Sequence, residues 1–299
     1  MRSFMSVFAA GVLRLTGYKR KVNNERSMAR YMEKCRRRSA KPFSVPKFSN
    51  VRVNVNKELF EGMEIFLFKK EGAQSDKVLL YFHGGGYVEQ PLPQHFSFVG
   101  EMVNRTGIPA VFPVYPKAPD HTYKENYPLQ LELYEKILET HSPENVIIAG
   151  DSSGGGMALA FAEYLAKKNL PQPGKLVLLS PWVDINMDNP ELKDYNRRDP
   201  SLGINGLKTM AKAWAGGDDL HYYLLSPLYG DLTGLADIYL FIGTGEMLCA
   251  DARKLRARAK QQGVKIHYYE YPKMNHVFPL YPIPEADIAK ATIADIISN

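Results

Sequence analysis

Val146-Ile147-Ile148-Ala149-Gly150-Asp151-Ser152-Ser153-Gly154-Gly155-Gly156-Met157 is the stretch that decides how this chain folds. Four apolar residues lead into a glycine-flanked serine. A helical pattern follows, with Met157, Phe161, Tyr164 and Leu165 on one face. The order is strand, sharp turn, helix. A G-x-S-x-G string in that setting is a nucleophile elbow: the turn is so tight that side chains beside the serine would collide, and the hydroxyl stands exposed at the strand's end. The helix N-terminus behind it offers unpaired N–H groups that favour developing negative charge. The plainer reading is a Gly/Ser-rich turn before an ordinary helix, and the rest of the chain decides between them.

The flanking sequence repeats the same rhythm. Continuously apolar runs recur at 78–82, 110–114, 176–179 and 238–242, with helical patterns between most of them. Such runs read as strands of a parallel sheet buried on both faces by crossover helices. Ahead of them, Val51, Val53 and Val55 alternate with polar residues. Met63, Ile65 and Leu67 alternate with Glu64, Phe66 and Phe68. These two stretches predict a half-exposed antiparallel hairpin or meander. A strand over 264–271 and a helix over 285–298 close the chain. Between Pro181 and about Asp237 the rhythm stops, leaving loops, a short helix near 204–214 and the pair Tyr222-Tyr223. An insertion at that point can fold over the strand ends as a lid.

The chain has 299 residues, 45% hydrophobic and 23% charged, as a soluble globular protein does. Its two cysteines, Cys35 and Cys249, suggest no disulfide framework and fit a cytoplasmic protein. No CxxC or HExxH is present, so no metal and no cofactor is expected. Residues 1–41 hold 12 Lys/Arg against 2 Asp/Glu, a net +10, and the remainder carries −4. The basic excess belongs to one arm, which argues against a nucleic-acid partner. That arm begins with Phe4, Val7, Phe8, Val12 and Leu15 on one helical face. A helix packed over the main domain is the preferred reading, and a contact with an anionic membrane surface is the alternative. A second helix follows, with Met28, Tyr31, Met32 and Cys35 on one face, and then a linker to Pro46.

A serine hydroxyl needs a base within hydrogen-bond reach. On folds of this rhythm the chain order is serine, acid, histidine. His276 lies on the loop just after the last strand, where a base facing the elbow belongs, whereas His267 sits within the strand and reads as structural. Glu246, three residues past the strand ending at Gly243, is the first choice of acid. Asp251 is the alternative, and Asp184 follows a strand one earlier. His83-Gly84-Gly85-Gly86 follows the strand 78–82, and its glycines let main-chain N–H groups approach a substrate oxygen. The N–H of Ser153 completes the donor set. A phosphate loop is the competing reading, but no Gly-Lys-Ser/Thr ending is present.

Taken together, HGGG at 83–86 and GDSSGG at 150–155 resemble the hormone-sensitive-lipase family of α/β-hydrolases, the bacterial family IV esterases and lipases. Tyr115-Pro116-Lys117-Ala118-Pro119-Asp120-His121 is similar to the family's Y-R-L-A-P-E-H block. Leu179 to Asp184 and Gly243 to Leu248 are similar to its S-P-W-x-D and G-x-x-D-P-L blocks. The resemblance implies an α/β-hydrolase fold: a mostly parallel, twisted sheet of about eight strands, flanked by helices and covered by a helical cap. The expected division is N-terminal helices at 1–45 contributing to the cap, core at 46–182, cap insertion at 183–236 and core at 237–299. The resemblance implies that Gly85 and Gly86 are the oxyanion donors and that His83, with Gly84 and Asp151, supports the loop. Two departures stand out. Ser153 replaces the usual alanine, which is harmless if only its N–H is used. Glu246 replaces the usual aspartate.

The expected activity is serine carboxylester hydrolysis of short- to medium-chain acyl esters, with a small-molecule ester as partner. An amidase, peptidase or acyltransferase on the same fold stays open, as do a non-catalytic ligand-binding relative and a homodimer. Tyr87, Trp182, Trp214, Tyr223 and Phe278 fall near strand ends or the lid and are expected to narrow a substrate pocket. The alternative is that they are cap core.

Overall fold

The computed structural model describes residues 2–46 and 53–299. Val51 and Arg52, at the start of the first alternating stretch, lie outside the described residues. Three helices open the chain: α1 (Phe4–Leu15), α2 (Tyr18–Asn23) and α3 (Glu25–Ser39). The breaks between them fall at Gly17, left-handed at φ 63°, and at Asn24, whose side chain caps α3 by accepting from Ser27 N. Two antiparallel strands follow, β1 (Val53–Phe60) and β2 (Met63–Lys70). Then come β3 (Val78–Phe82), α4 (Pro93–Thr106), β4 (Ala110–Pro113), α5 (Tyr123–Leu138), β5 (Val146–Asp151), α6 (Ser153–Lys167) and β6 (Lys175–Leu179). The segment after β6 carries α7 (Leu192–Arg198) and α8 (Ile204–Ala215). The chain ends with β7 (Asp237–Gly243), α9 (Cys249–Gln261), β8 (Ile266–Tyr271) and α10 (Pro284–Ser298).

The eight strands form one sheet in the order β1-β2-β4-β3-β5-β6-β7-β8. β2 pairs antiparallel with both β1 and β4, and every pair from β4 to β8 is parallel. Two apolar cores flank the sheet, one on each face. β3 and β5 are buried along their whole length, as continuous apolar runs between two helical layers must be. β2 departs from the half-exposed expectation. Met63 and Ile65 enter one core while Phe66 and Phe68 enter the other, because β2 lies between β1 and β4 rather than at the edge. β1 is the edge, and it alternates half-buried and exposed only at its start.

α8 lies over the end of β5, where it shares a cavity with Ser152, α7 packs on α9, and α2 packs on α8. A methyl group on Gly206 of α8 would stand 2.9 Å from Val22, and one on Gly203 would stand 2.3 Å from Asn23. Met28, Met32 and Cys35 face the core as their spacing predicts. In the stretch read as a linker, Phe43 stacks on Phe96 at 5.4 Å and so pins the chain to α4.

α1 corrects its expectation. It does lie on the core, but through its small residues, Ser6 and Ala10. The stripe read as its packing face points outward, with Phe4 83%, Phe8 64% and Leu15 87% exposed. The helix is fastened by Ser3, whose N–H and hydroxyl donate to the Glu285 carboxylate at 2.6 and 2.8 Å. Arg2 closes over the buried Ser6, its guanidinium donating to the Ser6 hydroxyl at 3.1 Å and the Ser6 carbonyl at 2.8 Å. No helix among the described residues is long and apolar enough to cross a membrane.

Candidate active site

Ser152 stands between the last residue of β5 and the first of α6 with φ 52° and ψ −121°, a strained backbone for a side-chain-bearing residue. Two close approaches impose that turn. A methyl group at Gly154 would lie 2.0 Å from the Phe82 carbonyl oxygen, and one at Gly150 would lie 2.4 Å from the Gly154 carbonyl oxygen. Only glycine lets β3, β5 and α6 meet this closely. The strand is anchored as the helix begins, because Ser152 N donates to Leu179 O at 2.9 Å. The hydroxyl is left half-exposed at the floor of a cavity.

His276 arrives from the loop after β8, and its Nε2 lies 2.9 Å from Ser152 Oγ. Its Nδ1 lies 2.5 Å from Glu246 Oε2. With Nδ1–H donating to the carboxylate, the Nε2 lone pair faces the serine. Burial pulls the His276 pKa down, but the charge and hydrogen bond of Glu246 more than offset this and leave it above the ordinary imidazole value. Glu246 is fully buried, and its Oε1 accepts from Ser180 Oγ at 2.6 Å and from Gly243 N at 2.9 Å.

The other candidates lie elsewhere. Asp251 accepts from Asn189 Nδ2 at 2.7 Å, and burial pushes its pKa up to about 7. Asp184 accepts from the Tyr229 hydroxyl at 2.8 Å. His267 stacks on Tyr239 at 4.5 Å within the sheet.

The loop after β3 forms the other wall. Gly85 and Gly86 have φ of 124° and 61°, which a side chain tolerates poorly, and Gly86 packs so closely that a methyl group would sit 2.4 Å from Met210 Sδ. Among the described residues the N–H groups of Gly85 and Gly86 have no protein acceptor. The N–H of Ser153 is the first of α6 and has no intrahelical partner. Asp151 ties this loop to the elbow: its carboxylate accepts from Gly84 N at 2.9 Å, Tyr81 Oη at 2.8 Å and His95 Nε2 at 3.2 Å. Burial would raise the Asp151 pKa, but His95 and these hydrogen bonds hold it below the usual carboxylate range. His83 stacks on Tyr115 at 4.4 Å, and its Nδ1 lies 2.6 Å from Gly84 O. Burial drives its pKa well down, so it braces the loop as a neutral ring. The Ser153 hydroxyl is not idle, since it accepts from Tyr87 N at 3.4 Å.

The cavity over Ser152 measures about 250 Å³. Leu13 and Val22 from the N-terminal helices, Leu202, Leu207 and Met210 from the insertion, and Val277 give it an apolar wall. None of the five aromatics expected there lines it. Tyr87 is stacked at 4.7 Å on Trp214 and at 5.8 Å on Trp182, all three buried in the core between the insertion and the sheet. Phe278 packs on Tyr271 at 4.6 Å, and Tyr223 lies under the Lys167 ammonium. The aromatic side chain that does line the cavity is Tyr281, which is none of the five. A larger groove between α4 and α10 contains no histidine, so size does not pick out the site.

Residues outside the sequence reading also shape the site. Besides Ser180, Asp199 is buried and joins cap to core. Its Oδ1 accepts from Ser201 N and Leu202 N at 2.8 and 2.9 Å, and its Oδ2 from Met247 N at 2.8 Å, beside Glu246. The string Asp199-Pro200-Ser201 carries the local signal of a carboxylate-capped turn, though not its second partner.

The α/β hydrolase fold family matches residues 79–280. An esterase of Acinetobacter venetianus is 30% identical over 235 residues, covering 77% of each chain. An acetyl-hydrolase of Streptomyces hygroscopicus is 31% identical over 209 residues, covering 70% of each. Among solved structures, a hormone-sensitive-lipase homologue from a metagenome library superposes with a TM-score of 0.84 at 28% identity, covering 100% of this chain and 99% of that one.

Proposed function

We propose that this chain, which belongs to the hormone-sensitive-lipase family of α/β-hydrolases and is a carboxylesterase- or lipase-type hydrolase, cleaves short- to medium-chain acyl esters through Ser152, His276 and Glu246. One observation carries the assignment of roles: a continuous chain from serine hydroxyl to imidazole to carboxylate, 2.9 and 2.5 Å long, opposite two glycine N–H groups without an acceptor. His276 Nε2 takes the Ser152 proton as Oγ attacks the ester carbonyl. The carbonyl oxygen becomes an anion held by the N–H groups of Gly85, Gly86 and Ser153, each such donor supplying about 3 kcal/mol in the transition state. His276 then protonates the leaving alcohol. The acyl-serine is opened by water, from which His276 again removes the proton.

The apolar cavity of about 250 Å³ and the acetyl-hydrolase relative support short acyl groups. Across acetyl, butyryl, octanoyl and palmitoyl p-nitrophenyl esters, kcat/KM should peak at the shorter chains. A maximum at palmitoyl contradicts this reading. The two buried, free cysteines support a reducing, cytoplasmic setting.

The pH profile follows from the base. His276 works only unprotonated, and its pKa is raised above 6.5. Activity on a neutral ester is therefore lost as pH falls through that raised value, and the acid limb of kcat/KM should have its midpoint above 6.5. A midpoint at or below 6.5 would mean that burial outweighs the pull of Glu246 and would contradict the raised pKa.

A further inference from the structure

The outward face of α1 has no partner in the fold. Phe4, Met5, Val7, Phe8, Val12 and Leu15 are all exposed on a helix of 12 residues. Single exposed apolar side chains are ordinary, but a contiguous apolar face marks an interaction surface. The helix is held in place. Ser3 fastens its start to Glu285, and just beyond its end Lys19 Nζ donates to the Asp199 carbonyl at 2.8 Å. Its two sides do different things. Leu13 lines the cavity over Ser152, while Phe4, Phe8 and Leu15 face solvent, one helix thickness of about 10 Å away.

Charge decides the occupant. Residues 1–24 include Arg2, Arg14, Lys19, Arg20 and Lys21 and no Asp or Glu. Arg14, beside the apolar stripe by its helical spacing, and Arg20 and Lys21, on the short helix that follows, are exposed. An apolar face in a segment with cations and no acidic residue suits a surface of negative headgroups over acyl chains. A second copy docked by two-fold symmetry would set the same cations against themselves.

We propose that α1 docks this protein on an anionic lipid surface and sets the cavity beside it, so that an ester dissolved in that surface reaches Ser152. The docking stands on α1 alone, and only the delivery of an ester rests on the function proposed above. Cosedimentation with vesicles of phosphatidylcholine, with and without phosphatidylglycerol, tests the docking in the catalytically silent Ser152→Ala protein. At about 0.1 M salt, where the screening length is about 10 Å, binding to anionic vesicles should exceed binding to neutral ones by about tenfold or more. Adding F4S/F8S should lower it by a similar factor. The same pair in the active protein should leave acetyl ester hydrolysis in free solution within about twofold, which shows that the fold is intact. F4S/F8S binding anionic vesicles as well as the parent overturns the proposal. So does a dimer, seen by sedimentation equilibrium, that F4S/F8S dissolves, which would give the face to a second copy. Vesicle binding without hydrolysis of any ester would overturn the function and leave the docking standing.

Discussion

Replacing Ser152 with alanine should lower kcat for p-nitrophenyl acetate by about 10⁵–10⁶-fold, a loss of about 7–8 kcal/mol of transition-state stabilisation. The size of the effect comes from removing the group that bonds to the acyl carbon. His276 is left with no hydroxyl to deprotonate, and the oxyanion donors act only on attack by water. The change should cost little stability, because Ser152 is half-buried and, among the described residues, its hydroxyl meets only His276. A melting temperature close to that of the parent, with esterase activity at background, is the expected result. Retention of more than about a hundredth of the activity would remove Ser152 from the mechanism and give the nucleophile to another residue.

Changing Glu246 to glutamine should cost about 10⁴-fold in kcat with little change in KM. The amide keeps the shape, and its oxygen can still accept from Ser180 Oγ and Gly243 N, as Oε1 does now. Its NH₂ then faces His276 Nδ1, which must accept rather than donate. The imidazole proton moves to Nε2 and points at Ser152, where a base is needed. With the carboxylate gone, the raised His276 pKa should fall, so the residual activity should show an acid limb at lower pH than the parent. Asp251→Asn is the companion measurement. Asp251 meets Asn189 rather than His276, so activity should stay within about tenfold of the parent. If Asp251→Asn showed the large loss and Glu246→Gln did not, the acid would have been assigned to the wrong carboxylate.

The parts of this site that were legible beforehand are those written in local strings. Gly150 to Gly154 state a strand-turn-helix because the steric demand falls two residues to either side of Ser152, and the close approach to Phe82 O explains why glycine is needed at 154. The HGGG loop is legible for the same reason. His276 could be chosen over His267 from its place after a strand rather than within one. The parallel sheet follows from apolar runs that need cover on both sides.

What the sequence by itself determined, then, was the strand-and-helix alternation of the core and which serine, histidine and glycines to propose as nucleophile, base and oxyanion donors; it merged α2 with its neighbours and did not anticipate α7. Only the tertiary structure decided which of three carboxylates meets the imidazole, since Glu246 and His276 come from loops after neighbouring strands β7 and β8. It also decided that Ser180 and Asp199 brace those loops, that the five aromatics expected at the cavity are packed away from it, and that α1 turns its small residues inward. Hydrophobicity says that a side chain favours leaving water, but not which neighbour it will meet. That depends on contacts between segments far apart in the chain, where shape and close approach select among arrangements that composition leaves equal.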